Sequence, residues 1–291
     1  MKVLITGSES QIGKSLNNYI KKNRSNFFFF NRKDLDINKK YNIEKKIKEI
    51  KPDVIINCAA YTNVISAESN YLDANLVNNK SLLNLSNAAN YFNTLLIHFS
   101  TDYVFDGKNK IKYKENDQTF PISVYGKTKL DGEKLIREKC NNFIILRVSW
   151  LFSNLKNNFV SFVIQRLLNN ENIYAVNDLY SIPTSADQIS NFLLFILNKT
   201  SLNNHQQLYH FVNAGKIVSW YEFALYIKRI FLNYENSNSK IIPISSNKFF
   251  KNQIRPKFSA LDNKKIINNF NYKIEDWQTS INVLIKEYFK S

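Results

Sequence analysis

A tyrosine and a lysine four residues apart carry the clearest chemistry in this chain. Tyr125 and Lys129 lie in a stretch with helical character, and residues four apart share one face of a helix. A free phenol titrates near about 10, and an adjacent ammonium favours the phenolate and lowers that pKa. We therefore predict that Tyr125 gives its proton to a carbonyl oxygen while a hydride attacks the carbonyl carbon.

Spacing alone does not identify this pair, because Tyr41 and Lys45 have it too. Tyr41 lies in a Lys-rich stretch typical of a solvated helix face. Tyr125 instead follows a polar cluster at residues 100–107, which ends an apolar run. Within that cluster Thr101 can donate a hydrogen bond to a substrate carbonyl and so stabilise the alkoxide-like charge that grows there. The alternative for the cluster is an ordinary turn at the end of a strand.

The elements that must position these residues alternate between strand and helix. Short apolar runs, typical of strands buried on both faces of a parallel sheet, occupy residues 3–6, 27–30, 53–56, 95–99 and 143–148. Helical stretches between them occupy residues 11–20, 74–91 and 124–138. This alternation predicts an α/β fold with a Rossmann-type doubly wound parallel sheet, whose ligands bind at the carboxyl ends of the strands.

The second half of the chain is less regular and predicts a smaller C-terminal substrate lobe. Its expected helices occupy residues 159–168, 186–197, 220–232 and 277–288. We predict a dinucleotide-binding domain over residues 1–150 with a returning segment at about 183–215. The lobe then comprises about 151–182 and 216–291.

The first strand-to-helix turn has the pattern of a dinucleotide site. Gly7 permits a tight turn, Gly13 permits close helix packing, and the helix amino end can hold a pyrophosphate. Ser10 stands where this pattern usually has a third glycine, which weakens the signal and leaves an ordinary tight turn as the alternative. Gln11 and Ile12, at the start of the helix, belong to the same predicted site.

Two further segments are predicted to reach the cofactor. Arg32 follows the second strand, where no Asp or Glu stands ready for a ribose hydroxyl, and an arginine there suits the 2′-phosphate of NADPH. A solvated loop cation explains Arg32 equally well. After the third strand, the small residues around Ala59, Ala60 and Tyr61 let the backbone approach the cofactor, although a crowded strand end would also favour them.

Histidines and tryptophans elsewhere favour structural roles. His98 lies inside an apolar strand and is predicted to be a hydrogen-bonded core residue, while His205 and His210 match no metal-ligand spacing. No metal site is predicted from the residues themselves. Trp220 and Trp277 are expected to anchor helices by packing rather than to form a substrate platform.

Bulk composition limits the remaining classes. The chain has 291 residues, 44% of them hydrophobic, and a net charge of +16 that is spread along the sequence without any nucleic-acid-binding motif. We expect no nucleic-acid partner, although the charge should attract an anionic nucleotide. Apolar runs are only strand-sized, so no membrane partner is expected, and a cytoplasmic location is predicted from the two cysteines and the absence of a secretory pattern.

With these residues in hand, the chain resembles the dTDP-4-dehydrorhamnose reductase family of extended short-chain dehydrogenases. The most specific stretches are STDYVFDG at 100–107 and VYGKTKL at 124–130. Further matches lie at 52–57, 67–68, 78, 132–133, 147–150, 157–159, 177–178, 183–184 and 255–256. The resemblance runs nearly from end to end and implies reduction of the 4-keto group of a dTDP-6-deoxy-hexulose, giving dTDP-L-rhamnose.

The resemblance also implies roles. Tyr125 would be the acid and Thr101 the carbonyl donor, and Lys129 would be both an electrostatic partner of Tyr125 and a ligand of the cofactor ribose. Asn78 would join the cofactor site, and a sugar pocket would be shaped by Asp102, Tyr103 and Trp150. The cofactor would be NADPH or NADH. Some members use Mg²⁺ at a dimer contact, which makes a homodimer an expectation here, but no set of acidic ligands can be placed in this sequence.

Departures from the family pattern keep alternatives open. Ser10 replaces a glycine, Ile65 stands where Asp is common, and Ser181 with Ile182 stands where Gly-Ala is common. A catalytically silent binding or regulatory subunit is one alternative, and a related sugar-nucleotide epimerase or dehydratase is another. The presence of Thr101, Tyr125 and Lys129 together argues against a catalytically silent subunit. An epimerase or dehydratase would hold its cofactor tightly through the cycle, and the altered glycine turn suits a cofactor that exchanges better than one that stays bound.

Overall fold

The structure, a computed structural model, describes residues 1–20, 24–155, 157–199, 205–251 and 254–290. Its strands are β1 (Val3–Thr6), β2 (Phe27–Phe30), β3 (Val54–Asn57), β4 (Leu95–Thr101), β5 (Phe143–Val148), β6 (Leu151–Phe152), β7 (Ile173–Val176), β8 (Tyr180–Ser181), β9 (Thr184–Ser185), β10 (Gln206–His210), β11 (Val218–Ser219) and β12 (Ile241–Ile244). Its helices are α1 (Gln11–Tyr19), α2 (Lys40–Ile50), α3 (Val64–Ser69), α4 (Tyr71–Asn75), α5 (Ser81–Tyr91), α6 (Val124–Lys139), α7 (Phe159–Leu168), α8 (Ala186–Lys199), α9 (Trp220–Phe231), α10 (Ser246–Phe250), α11 (Lys264–Phe270) and α12 (Trp277–Tyr288).

Six parallel strands form the central sheet, in the order β10-β5-β4-β3-β1-β2. The predicted parallel α/β fold is therefore confirmed. Strand order reverses between β1 and β3, and in open sheets of this kind ligands bind outside the carboxyl ends of the strands at that reversal. The apolar run of β4 is buried throughout, as expected of a strand covered on both faces.

Apolar residues of alternate strand positions form separate cores on the two faces of the sheet. One face packs against α1 and α8, and the other packs against α2, α5 and α6. A third core lies in the C-terminal part, where α7, α9 and α12 surround the β7–β12 pair. Strand β10 and helix α8, both from the predicted returning segment, lie with the main sheet. The domain boundaries themselves stay a prediction, and residues 200–204 of that segment lie outside the described residues.

The predicted helical stretch at residues 74–91 contains a π-helical turn. The chain forms α4, the π-helical turn at Leu76–Lys80 and then α5 without a break. The turn places Asn78 against the loop after β3: Asn78 Nδ2 donates to the carbonyl of Tyr61 at 3.0 Å, and the Tyr61 N–H donates to Asn78 Oδ1 at 2.9 Å. A wider turn re-aims a side chain in this way at many functional sites.

Along the described ranges, no helix combines the length and apolar character needed to cross a membrane.

Candidate active site

Helix α6 brings the predicted proton-transfer pair to the end of β4. Ser123 caps the helix, because its hydroxyl accepts from the Gly126 N–H at 3.1 Å, so Tyr125 lies in the first turn. Gly126 allows close approach: a Cβ there would lie 2.2 Å from the Tyr103 carbonyl oxygen. As a result the rings of Tyr103 and Tyr125 meet edge to face, with centroids 5.6 Å apart.

A cleft of about 360 Å³ lies at this junction. The residues of the predicted site that line this cleft are Ser10, Gln11, Ile12, Ala60, Thr101, Asp102, Tyr103, Tyr125, Lys129 and Trp150. The cleft therefore joins the start of α1, the end of β4, the first turns of α6 and the end of β5. Residues that are more than 100 positions apart in sequence meet there.

The predicted effect of Lys129 on the phenol is wrong for this structure. Burial raises the pKa of Tyr125, and the hydrogen bond with Thr101 opposes this only partly, while the nearby Asp102 and Tyr103 raise it further. The Lys129 amine donates to the Phe99 carbonyl and is not among the groups that shift the phenol pKa. Tyr125 is accordingly a neutral phenol at ordinary pH, which is the form an acid needs before it gives a proton.

The amine of Lys129 is held under the cleft by β4. Its Nζ donates to the Phe99 carbonyl at 2.5 Å and lies 3.2 Å from His98 Nε2. On the other side of the ring, His98 Nδ1 lies 2.9 Å from Asn57 Nδ2. Burial lowers the pKa of Lys129 to about 8, with Glu133 acting in the opposite direction. His98 is thus the bonded core residue that was predicted, and it also positions the lysine.

Thr101 and Asp102 form a polar pair at the end of β4. Thr101 Oγ1 lies 3.0 Å from Asp102 Oδ1, and it accepts from the Tyr103 N–H at 3.2 Å. Asp102 is only 2% exposed, and burial raises its pKa to about 7. The Tyr103 hydroxyl accepts from Arg255 Nη1 at 3.1 Å, so the C-terminal part of the chain reaches the same cluster.

The turn after β1 has the form required for a dinucleotide. Gly7 has φ +65°, in the left-handed region, and a Cβ there would lie 2.4 Å from the Ala59 nitrogen. Ser10, the departure from the glycine pattern, caps α1: its hydroxyl accepts from the Gly13 N–H at 3.0 Å. The serine therefore organises the amino end of the helix, where a phosphate would bind.

A second cavity of about 290 Å³ continues from this turn and is lined by Gly7, Ser10, Arg32, Ala59, Ala60 and Tyr61 from the predicted cofactor site. Arg32 is exposed at its rim and forms no ion pair with any described residue. Gly13 and Asn78 lie behind these surfaces. Gly13 packs α1 onto the turn, and Asn78 holds the Tyr61 backbone, so both reach a cofactor only through their neighbours.

Trp150 forms the far wall of the cleft in a strained conformation. Its φ of +43° is unusual for a bulky residue, and such strain concentrates at functional sites. The indole stacks on Trp220 at 3.8 Å between centroids with an interplanar angle of 12°. The expectation that Trp220 serves only packing is therefore incomplete, because it also lines the cleft. Trp277, by contrast, is buried in the C-terminal core as predicted.

Beyond Trp220 lies a third cavity of about 540 Å³, shaped by the C-terminal part. Its walls are largely aromatic, with Phe159, Phe249 and Phe250, and Arg255 lies over the Phe250 ring at 3.9 Å from its centroid. A mixed aromatic and cationic wall suits a planar base with an attached phosphate. Trp220 lines both this cavity and the cleft.

The part of the chain that the structure describes contains no group of three or more His, Cys, Asp and Glu side chains that could hold a metal ion. The Mg²⁺ implied by the resemblance therefore gains no support. His210 is instead engaged with Arg147 and the Tyr113 carbonyl, and burial lowers its pKa to about 3.

Several residues at the site escaped the sequence reasoning. Arg255 was noted only as a family match, and nothing predicted its bond to Tyr103. Asn57, which contacts His98, was predicted only as part of the family match at 52–57. Ser259, which acts on Asp102, carried no signal, because hydroxyls are common in loops.

A reversing parallel sheet, a dinucleotide turn at the reversal, and a Tyr, Lys and Thr grouped in the adjoining cleft together define a Rossmann-fold oxidoreductase of the short-chain dehydrogenase class. Comparison with known proteins agrees. A family model described as the RmlD substrate binding domain matches residues 1–290.

The chain belongs to the dTDP-4-dehydrorhamnose reductase family. It is 35% identical over 289 residues to a dTDP-4-dehydrorhamnose reductase of Aggregatibacter actinomycetemcomitans, covering 96% of this chain and 97% of the relative. It is 32% identical to that of Sinorhizobium fredii, covering 98% and 97%. Among solved structures, the reductase of Bacillus anthracis in complex with NADP superposes with a TM-score of 0.90 at 32% identity, covering 99% and 100%.

Proposed function

We propose that this chain uses NADPH to reduce the 4-keto group of dTDP-4-dehydro-6-deoxy-L-mannose, giving dTDP-L-rhamnose. The observation that carries the proposal is the grouping of Tyr125, Thr101 and Lys129 in one cleft that opens onto the Gly7 turn. Its relatives are named for this reduction, and one of them is solved with NADP.

The proposed acid is Tyr125. NADPH supplies the hydride when it is bound. The Tyr125 phenol gives its proton to the C4 oxygen, and the Thr101 hydroxyl donates a hydrogen bond to that oxygen as charge grows on it. Lys129, anchored by Phe99 and His98, lines the same cleft and is proposed to bind the cofactor ribose.

The Gly7 turn and the capped start of α1 are proposed to hold the pyrophosphate of the cofactor. Backbone N–H groups and the helix dipole favour an anion at that position. Arg32, with no ion-pair partner among the described residues, is proposed to bind the 2′-phosphate, which favours NADPH over NADH. Ala59, Ala60 and Tyr61 line the neighbouring cavity, and Asn78 fixes their loop.

The substrate is proposed to lie across Trp150 and Trp220. Asp102, Tyr103 and Trp150 would shape the sugar end within the cleft. The dTDP end would enter the aromatic cavity near Arg255, where a base can stack and a phosphate can meet a guanidinium. A cytoplasmic location and a homodimer belong to this proposal as well.

A direct assay tests the proposal. Purified protein is mixed with NADPH and the enzymatically prepared 4-keto precursor, and oxidation of NADPH is followed by absorbance. We expect turnover in the wild type and a loss of about 10²–10⁴-fold in Tyr125→Phe, because the proton donor is gone while the ring remains. NADPH binding, measured by fluorescence, should be unchanged.

Tyr41→Phe is the matched control, because Tyr41 has the same spacing to a lysine but is exposed on α2. It should keep wild-type turnover. If the wild type binds NADPH but never oxidises it with this substrate, the silent binding subunit becomes the better description. If Tyr125→Phe keeps the wild-type rate, Tyr125 is not the acid.

A further inference from the structure

The carboxyl group of Asp102 is buried beside the site without a charged partner. Oδ1 lies 3.0 Å from the Thr101 hydroxyl, whereas Oδ2 is buried and makes no hydrogen bond of normal geometry. Among the described residues, no Lys, Arg or His forms a salt bridge with it. An ionised carboxylate is costly in such a place, and the neutral acid is much less so.

The hydrogen-bond capacity of Thr101 connects this carboxyl to the proton donors. A threonine hydroxyl has one proton and two lone pairs. The Tyr103 N–H occupies one lone pair at 3.2 Å. One lone pair and one proton are therefore left for two neighbours: the Asp102 carboxyl on one side, and Tyr125 with the substrate oxygen on the other.

The charge of Asp102 decides which neighbour receives the Thr101 proton and which one donates to its free lone pair. A neutral carboxyl donates its O–H to the free lone pair of Thr101, and the Thr101 proton must then point into the cleft. An ionised carboxylate takes the Thr101 proton, and the free lone pair then accepts from the cleft side, where the Tyr125 O–H is the donor. The 3.0 Å separation of the two oxygens suits either direction of the bond.

We propose that Asp102 acts as a neutral carboxylic acid that turns the Thr101 hydroxyl toward the cleft, so that Thr101 and Tyr125 both present protons to the carbonyl oxygen. Asp102 is then a positioning residue that acts through Thr101. The inference rests on the proposed function for the roles of Thr101 and Tyr125. Ionisation of Asp102 would turn both protons inward and slow reduction.

Neighbouring groups set the pH range. Burial raises the pKa of Asp102 to about 7, against smaller effects of Ser259 and Thr101. Other titratable groups that line the cleft with Asp102 are the phenols of Tyr103, with a pKa raised to about 12, and Tyr125, whose pKa is also raised, and the amine of Lys129, with a pKa of about 8. Arg255, a fixed positive charge, binds Tyr103. Since the carboxyl is neutral below its pKa, turnover should fall as pH rises through about 7.

Infrared spectroscopy tests the charge state without any substrate. The wild type and Asp102→Asn are titrated from about pH 5 to about pH 9, a range that brackets the expected ionisation. We expect a carboxylic acid C=O band in the wild type that disappears near pH 7 and is missing from the variant. Identical spectra for the two proteins at low pH would overturn the proposal, and this result does not depend on the function proposed above.

The pH profile of turnover tests the consequence. An amide N–H is a permanent donor, so Asp102→Asn should lose the fall near pH 7, whatever its absolute rate. Lys129, with a pKa of about 8, is common to both proteins, and its effect stays in both profiles. Superimposable profile shapes would contradict the inference. Absence of NADPH oxidation in both proteins at every pH would instead count against the proposed function.

Ser259→Ala provides a second variant that keeps the carboxyl in place. Because the Ser259 hydroxyl lowers the pKa of Asp102, its removal should move both the infrared titration and the fall in turnover to higher pH. An infrared midpoint that differs from the midpoint of the fall in turnover, in the wild type or in Ser259→Ala, would overturn the proposal even if Asp102→Asn fails to fold.

Discussion

Gly126→Ala should cost turnover although it favours the helix. Within a helix, Ala is preferred to Gly by up to about 1 kcal/mol, so propensity alone predicts a more stable α6. The structure predicts the opposite for the site, because the added Cβ would lie 2.2 Å from the Tyr103 carbonyl oxygen, where ordinary contacts begin at 3.4 Å. The Tyr103 segment and α6 must therefore separate by about 1 Å.

That separation acts on the reacting groups directly. Tyr125 precedes Gly126, and Thr101 lies two residues before Tyr103, so the phenol and the hydroxyl move apart when their supports do. A misplacement of about 1 Å costs on the order of 10²-fold in rate. Overpacking costs roughly 1–3 kcal/mol and helix propensity offsets about 1, so the protein should still fold.

The assay is steady-state oxidation of NADPH, with thermal unfolding measured in parallel. We expect kcat to fall about 10²-fold while the KM for NADPH stays close to wild type. Lys134→Ala, on the exposed face of α6, should change neither quantity. Gly132→Ala would place a Cβ 2.1 Å from the Asn78 carbonyl oxygen and should act mainly on NADPH binding. Turnover of Gly126→Ala within about twofold of wild type would refute the reasoning.

Three further predictions follow from single features. Arg32→Ala should raise the KM for NADPH about tenfold or more, because a charged hydrogen bond contributes about 1.5–3 kcal/mol. The same variant should leave the KM for NADH unchanged. Equal changes in both KM values would contradict the proposed contact between Arg32 and the 2′-phosphate. Arg147→Met leaves Glu133 buried and unpaired and should cost about 3–5 kcal/mol in urea unfolding, most of which Arg147→Met with Glu133→Leu should restore. The Lys129 pKa of about 8 lies below its ordinary value of 10.5, so between these two pH values the unfolded chain binds more protons than the folded protein. The free energy of unfolding of the wild type should therefore rise with pH in that range, by up to about 1.4 kcal/mol per pH unit. Lys129→Met should show no such rise.

The parallel sheet was predictable because burial on both faces leaves a plain pattern. Runs such as 27–30 and 143–148 contain almost nothing but apolar residues, and the structure pairs both within the sheet. Strand β10 is harder to recognise. It mixes Gln206 and His210 with apolar residues, because it pairs with β5 at the edge of the sheet and is covered only in part.

The site was predictable in its membership but not in its electrostatics. Spacing and position brought Tyr125, Lys129 and Thr101 into one prediction, and the structure groups them in one cleft. The direction of the phenol pKa could not be predicted, since it depends on where the Lys129 amine points and on how much protein surrounds the ring. The hydrogen bond from Arg255 to Tyr103 could not be predicted for a similar reason, because it depends on how a loop that is distant in sequence returns to the end of β4.

The raised pKa of Tyr125 constrains the order of events in the proposed reduction. A phenol that holds its proton more tightly than a free tyrosine cannot protonate a neutral ketone to any useful extent, but it can protonate an oxygen that has already gained alkoxide character. Proton transfer must therefore lag behind charge development at the C4 oxygen. During that lag the Thr101 hydroxyl is the donor that stabilises the charge, which makes its direction matter more than the acidity of the phenol. Because Tyr125 is buried, the proposed rate depends less on an ammonium beside the phenol than on the direction of the Thr101 hydroxyl, which the Asp102 carboxyl sets.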